Sequence, residues 1–141
     1  MEFTTQVQWT HQRKGKIATE GMPTIEIASP VEFNGHPGIW SPEHLFVGAA
    51  EVCLMTTFLA MAEYNKLKFL NYSSKAVGVV DKSQGSLQVT KITIYPLVVV
   101  ESEELVEAAF KTLDKAKRHC LISASMKTEV SMEAQVEVYH P

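Results

Sequence analysis

Residues 41–65 read Ser-Pro-Glu-His-Leu-Phe-Val-Gly-Ala-Ala-Glu-Val-Cys-Leu-Met-Thr-Thr-Phe-Leu-Ala-Met-Ala-Glu-Tyr-Asn, and the rest of the chain is organised around this stretch. Ser41 offers a hydroxyl to the unpaired amides of a helix start, and Pro42 suits the first helical position because its missing N–H costs nothing there. Glu43 places a negative charge in the first turn, where the helix dipole favours it. The sequence therefore predicts a helix that begins at residues 41–43.

Beyond that start, the stretch is apolar on almost every side. Between Leu45 and Ala62 the one ionisable side chain besides the thiol of Cys53 is Glu51. A helix that is apolar all round is typically buried, so we expect a core helix with Cys53 near its middle. The run is also close to the ~20 residues that a membrane span needs. Glu51 at the bilayer centre would cost roughly 2.5–3.5 kcal/mol, however, so the sequence favours a soluble protein.

Composition limits the function classes. A chain of 141 residues, 45% hydrophobic and 21% charged, is typical of one soluble domain covering residues 1–141. The net charge of −3 disfavours nucleic acid or an anionic membrane as the main partner. Residues 1–6 have neither the basic nor the apolar region of a signal peptide. Two cysteines in such a chain indicate a cytoplasmic, reducing environment, in which thiols are buried, metal-bound or catalytic.

Hydrophobic alternation predicts strands on both sides of the helix. Residues 3–9, 16–20 and 24–28 are expected to be strands, the first of them half-buried, and residues 30–40 a loop. Residues 66–81 and 86–100 predict two long strands joined by a turn, with a bulge near Thr90. Pro96 indicates an edge position or a strand end. A second helix over 102–119, a short segment over 120–126 and a last strand over 130–138 complete a predicted α+β domain.

The two cysteines allow two interpretations. Cys53 and Cys120 are both compatible with small core side chains, since free cysteine is among the most buried residue types. A reactive Cys53 would instead need a cation beside it, because burial disfavours the thiolate. Such a cation would lower the thiol pKa by roughly one to two units. Only two arginines are available for this role, Arg13 and Arg118.

Other chemistries have weaker support. The five histidines show no ligand spacing, so no metal is expected, and neither a hydrolase nucleophile elbow nor a phosphate-binding loop is present. No cofactor is therefore expected.

Two motifs resemble those of a known family. Ser41-Pro42-Glu43-His44-Leu45-Phe46, followed by small residues and Cys53, resembles the central helix of the OsmC/Ohr family of organic hydroperoxide reductases. Cys120-Leu121-Ile122-Ser123-Ala124-Ser125 resembles the family's second cysteine motif, with Leu121 where many members have proline. The order of elements also matches along essentially the whole chain. The resemblance implies an OsmC-like fold of antiparallel sheets around a buried central helix, in an intertwined homodimer.

The resemblance also implies roles for individual residues. Cys53 corresponds to the peroxidatic cysteine, which attacks an organic hydroperoxide, and Cys120 to the resolving cysteine, which forms a disulfide with it. An external dithiol, a lipoyl protein or a thioredoxin-like protein, then reduces that disulfide. Glu43 matches a carboxylate that orients a thiolate-stabilising arginine. Arg13 is the match for that arginine, with Lys14 and Lys16 as alternative cations.

Helix geometry adds a constraint to these implied roles. In a continuous helix Glu43 and Cys53 lie ~15 Å apart along the axis, which is too far for one arginine to reach both. Either the helix breaks, which Gly48 permits, or the site combines residues of two chains. We expect the second arrangement. The alternative to an enzyme is a non-catalytic member of the same fold that binds a small lipophilic ligand at the dimer interface.

Overall fold

The predicted central helix, α1, extends over Pro42–Tyr64 in the computed structural model, which describes all 141 residues. Its start is as predicted: the backbone N–H of His44 donates to Ser41 Oγ at 3.1 Å, which satisfies one of the unpaired amides of the first turn. The helix is continuous through Gly48, so the possibility of a break there is excluded. The chain divides into two units, Met1–Phe46 and Val47–Pro141, which are described separately.

The first unit contains a three-stranded antiparallel sheet. Its strands are β1 (Gln6–His11), β2 (Lys14–Ala18) and β3 (Ile25–Ala28), in the order β1-β2-β3. The prediction of a half-buried first strand is wrong, because every residue of β1 is exposed. Trp9, for example, is 72% exposed. The alternating pattern of β1 therefore marks an apolar face that the first unit does not cover.

The second unit contains a mixed four-stranded sheet. β4 (Asn71–Ser83) and β5 (Ser86–Val100) form a long antiparallel hairpin, while β6 (Glu129–Met132) and β7 (Gln135–Val138) both run parallel to β5. The α+β class is confirmed, but pairing in this sheet is not antiparallel throughout. The predicted bulge is confirmed: Val79 pairs with Lys91 and Val80 with Val89, which leaves Thr90 as the extra residue.

Two strand predictions are wrong. The last strand is divided into β6 and β7, and Pro96 lies inside the central strand β5 rather than at an edge. The parallel partner of β5 changes at this point, since β6 pairs up to Ile94 and β7 pairs from Leu97 onward. Pro96, which has no backbone N–H, thus lies at a break in the parallel pairing.

Two further helices complete the second unit. The second predicted helix begins later than expected: one 3-10 turn at Glu103–Leu105 precedes α2 (Val106–Arg118). The short helix α3 (Leu121–Ala124) follows Cys120. Helices α1 and α2 and strand β5 build one hydrophobic core. Its fully buried members are Ala50, Leu54, Phe58, Ala62, Ile92, Ile94, Val98, Val100, Ala109, Leu113 and Ala116.

Helix α1 is buried on one stripe only, which corrects the prediction of a fully buried helix. Its buried residues recur every four positions, as expected for one face of a helix. On its other faces, Val52 is 56% and Leu59 is 38% exposed. By length and composition α1 also meets the requirements of a membrane span. The apolar outer face of α1, like that of β1, remains uncovered within one chain.

Candidate active site

The structure brings Cys53 and Cys120 together within the second unit. Cys53 lies in the middle of α1 and is half-buried, whereas Cys120 immediately precedes α3 and is only 2% exposed. Both thiols are free, and the side chain of Cys120 hydrogen-bonds to that of Cys53. The pair therefore combines one accessible sulfur with one sheltered sulfur.

The surroundings of Cys53 favour its thiolate. Burial raises the pKa of the Cys53 thiol, but hydrogen bonds from the Ile122 backbone, Cys120, Thr57 and the Leu121 backbone together outweigh burial, and the pKa is lowered. The Thr57 hydroxyl lies 3.9 Å from the sulfur. Leu121 and Ile122 are the first residues of α3, where backbone N–H groups have no partner within the helix.

These donors were missed at the sequence level, where only a cation was considered. Thr57 had a detectable signal, since residues four apart share a helix face. The amides had none, because their position depends on how α3 packs against α1. A proline at position 121 would lack the N–H that Leu121 directs at the sulfur.

Cys120 is held by its own hydrogen bond. Ser123 Oγ of α3 donates to Cys120 Sγ, just before that helix, at 3.3 Å. The sulfur of Cys120 is thereby oriented at the base of α3 rather than exposed to solvent.

Arg13 and Glu43 belong to the first unit, and they are not joined by an ion pair. Arg13 Nη1 donates to the Phe33 carbonyl oxygen at 3.1 Å. Glu43 Oε1 is buried without a hydrogen-bond partner in the chain. A buried carboxylate oxygen without a hydrogen-bond donor costs free energy. The only ion pair in the structure is the exposed pair Glu107–Lys111.

Glu51 does not face the thiol. Its carboxylate accepts a hydrogen bond from Ser74 Oγ at 2.6 Å, across the contact between α1 and β4. The charge of Glu51 is not among the effects that set the pKa of the Cys53 thiol. Burial, and then the negative charge of Glu51, raise the pKa of Tyr72 to about 12. The side chain of Glu51 thus acts on Ser74 and Tyr72 of β4 rather than on the sulfur of Cys53.

Replacing Thr57 with valine should raise the pKa of Cys53, because one of the hydrogen bonds that stabilise the thiolate is lost. The pH dependence of Cys53 alkylation by iodoacetamide, followed by mass spectrometry, measures this change. Thr56→Val is the matched control, since Thr56 Oγ1 donates to the Cys53 carbonyl oxygen and not to the sulfur. Equal changes in the two variants would refute a specific effect of Thr57.

The Tyr72 phenol should make the protein less stable at high pH. In the unfolded chain tyrosine ionises near pH 10, whereas Tyr72 in the folded chain ionises near 12. Between these values the unfolded state releases its proton first, so the free energy of unfolding falls as pH rises. Urea unfolding at about pH 9 and about pH 11.5 should show a smaller fall for Tyr72→Phe than for the native protein. Tyr139→Phe, at a position 55% exposed, should behave like the native protein.

The structure offers no cluster of three or more histidine, cysteine, aspartate or glutamate side chains that could hold a metal ion.

Solved structures with the same arrangement of helices and sheets place the chain in a known structural class. An OsmC-like protein of unknown function from Vibrio cholerae is 26% identical, with a TM-score of 0.86 over 95% of this chain and 99% of that one. An organic hydroperoxide resistance protein from Elizabethkingia anophelis is 17% identical, with a TM-score of 0.75 over 99% of each chain. At that identity the second likeness concerns the fold alone. The fold is that of OsmC-like proteins.

Sequence comparison identifies the family. The model of the OsmC-like protein family matches residues 35–135, and the chain therefore belongs to that family. The uncharacterized protein YmaD of Bacillus subtilis is 28% identical over 141 residues, which cover 96% of this chain and 93% of YmaD. Proteins of this family are generally soluble, which agrees with α1 as a core helix.

Proposed function

We propose that this protein is a cytoplasmic, thiol-dependent peroxidase that reduces organic hydroperoxides. The observation that carries the proposal is the contact between an accessible thiol of lowered pKa, Cys53, and a second free thiol, Cys120. A thiolate is the nucleophilic form of cysteine, and a neighbouring thiol allows its oxidised form to be captured as a disulfide. Membership of the OsmC-like family, which includes proteins named for organic hydroperoxide resistance, supports the same chemistry.

In the first step, the Cys53 thiolate attacks the terminal oxygen of the hydroperoxide. An S–O bond forms as the O–O bond breaks, Cys53 is oxidised to a sulfenic acid, and the alkoxide leaving group takes a proton to become an alcohol. The donors around Cys53 act before this step by maintaining the thiolate.

In the second step, Cys120 attacks the sulfenic sulfur of Cys53. An S–S bond forms, the S–O bond breaks, and the hydroxyl group leaves with a proton as water. An external dithiol, from a lipoyl protein or a thioredoxin-like protein, then transfers two electrons and two protons to the disulfide and restores both thiols. The dithiol itself becomes a disulfide.

We further propose that two copies of the chain complete each site in a homodimer. Arg13 supplies the positive charge near the thiolate, and Glu43 orients its guanidinium. The buried, unpartnered Oε1 of Glu43 supports this proposal, because a guanidinium from a second copy would satisfy it. The exposed apolar side chains of β1 and α1 support the dimer, since a second copy would remove them from water.

Light scattering should give twice the mass of one chain, and a folded, active monomer would refute the dimer.

The peroxidase proposal is tested by titrating the reduced protein with cumene hydroperoxide. Free thiols and intact mass are followed over minutes. We expect both thiols of each chain to be lost, with a mass decrease of two hydrogens, at one equivalent of hydroperoxide. Unchanged thiols would refute the peroxidase and would favour a protein that binds a lipophilic ligand without reaction.

A further inference from the structure

A cleft of about 570 Å³ in the second unit has four basic side chains among its ten lining residues. One wall is the segment that follows α1, and the other is a single face of α2, where residues three and four apart line up. We call it the basic cleft. Its lining residues are Asn65, Lys66, Leu67, Leu105, Ala108, Lys111, Thr112, Asp114, Lys115 and Arg118.

The basic cleft is positively charged, although the protein as a whole is negatively charged. Four cations and one carboxylate, Asp114, line it, whereas the net charge of the protein is −3. All four cations are exposed, and Lys117 adds a further positive charge in the last turn of α2. Lys111 pairs with Glu107, but both side chains are more than three-quarters exposed, and such pairs contribute little. The cleft therefore presents a positive surface to any partner.

The basic cleft includes Arg118, which lies close to Cys120 in the chain. Arg118 is the last residue of α2 and lies two residues before Cys120, so their Cα atoms are at most ~7 Å apart. Leu121, directly after Cys120, is 68% exposed. A positive surface steers the encounter with a partner of opposite charge. A protein held in the cleft would thus have part of its surface next to the cysteines.

We propose that the basic cleft docks an acidic protein that carries the reducing dithiol. This inference rests on the proposed peroxidase function, which requires an external dithiol to restore the thiols. The first thiolate of the partner attacks one sulfur of the Cys53–Cys120 disulfide and forms a mixed disulfide. The second thiolate of the partner then attacks the partner's sulfur in the mixed disulfide, and the cysteine of this chain leaves as a thiolate. Two electrons and two protons have then passed from the partner to the two cysteines. Attraction between the cleft and the acidic partner raises the rate of their encounter.

The test compares two reductants of the oxidised protein, a reduced lipoylated domain of net negative charge and the uncharged small molecule dithiothreitol. The variant Lys115→Glu/Arg118→Glu reverses two charges of the cleft. The matched control, Lys82→Glu/Lys91→Glu, reverses two exposed charges on β4 and β5. We expect the cleft variant to lose about 10-fold or more in the rate of reduction by the lipoylated domain at low salt. Reduction by dithiothreitol should change less than about two-fold, because no charge attraction is involved.

The control variant should match the native protein with both reductants. A lipoylated domain that reduces both variants and the native protein at the same rate would overturn the proposal, whether that rate is fast or slow. An equal loss with both reductants would also overturn it, since Lys115 and Arg118 would then support the cysteine site itself. Failure of the peroxidase proposal is recognised separately, because no Cys53–Cys120 disulfide would form with hydroperoxide.

Discussion

Replacing Cys53 with serine should abolish the consumption of organic hydroperoxides. Serine has nearly the same size, but its hydroxyl stays protonated at neutral pH and is a far weaker nucleophile toward the O–O bond. We expect turnover to fall by at least about 1,000-fold, which corresponds to about 4 kcal/mol of lost transition-state stabilisation. Consumption of cumene hydroperoxide with dithiothreitol as reductant measures the effect.

The matched variant is Cys120→Ser, which keeps the proposed nucleophile. It should react once with hydroperoxide and gain the mass of one oxygen atom as a sulfenic acid, because no second thiol is present to form the disulfide. With excess hydroperoxide it should gain further oxygen. Turnover by Cys53→Ser near the native rate would contradict the proposed mechanism. Disulfide formation within a Cys120→Ser chain is impossible, so a dimer that survives denaturation without reducing agent would report a disulfide between two chains.

Replacing Phe58 with alanine should destabilise the second unit by about 3–5 kcal/mol. The Phe58 side chain is fully buried on the inner stripe of α1. Its ring centre lies 5.3 Å from that of Phe69 and 5.1 Å from that of Tyr72. Truncation to alanine removes these aromatic contacts and leaves a cavity between α1 and the sheet. Urea unfolding at neutral pH and fixed protein concentration measures the loss.

Phe110→Ala is the control for this prediction, because the same side chain is removed from α2 at a position 38% exposed. A partly exposed ring loses less buried area on truncation, so its cost should be less than half that of Phe58→Ala. Equal costs would mean that the core of the second unit does not depend on the packing of Phe58.

The cysteine site was only partly predictable. The requirement that a reactive Cys53 have stabilising surroundings follows from elementary thiol chemistry, and the motif around Cys120 pointed to the second sulfur. A cation was expected, yet hydrogen-bond donors surround the thiol within its own unit: Thr57, the amides of Leu121 and Ile122, and Cys120. The roles of Arg13 and Glu43 stay predictions. The sequence could not predict which groups surround Arg13 and Glu43, because their surroundings depend on contacts between distant segments.

The sequence by itself determined the elements whose causes are local. Helix α1 begins where Ser41 and Pro42 predict, the bulge lies at Thr90, and the α+β class follows from the order of apolar periods. Helix caps, turns and hydrophobic periodicity depend on residues a few positions apart. A short segment of the chain is therefore enough to predict each of these elements.

Only the tertiary structure decided which apolar faces are covered and which polar groups meet. An apolar pattern states that a face favours burial, but not whether its own chain covers it. For this reason β1 was predicted to be half-buried and the outer face of α1 to be buried, and both are exposed. The same holds for Pro96 in a central strand and for the amides of α3 at the Cys53 sulfur, since both depend on how distant segments pair and pack.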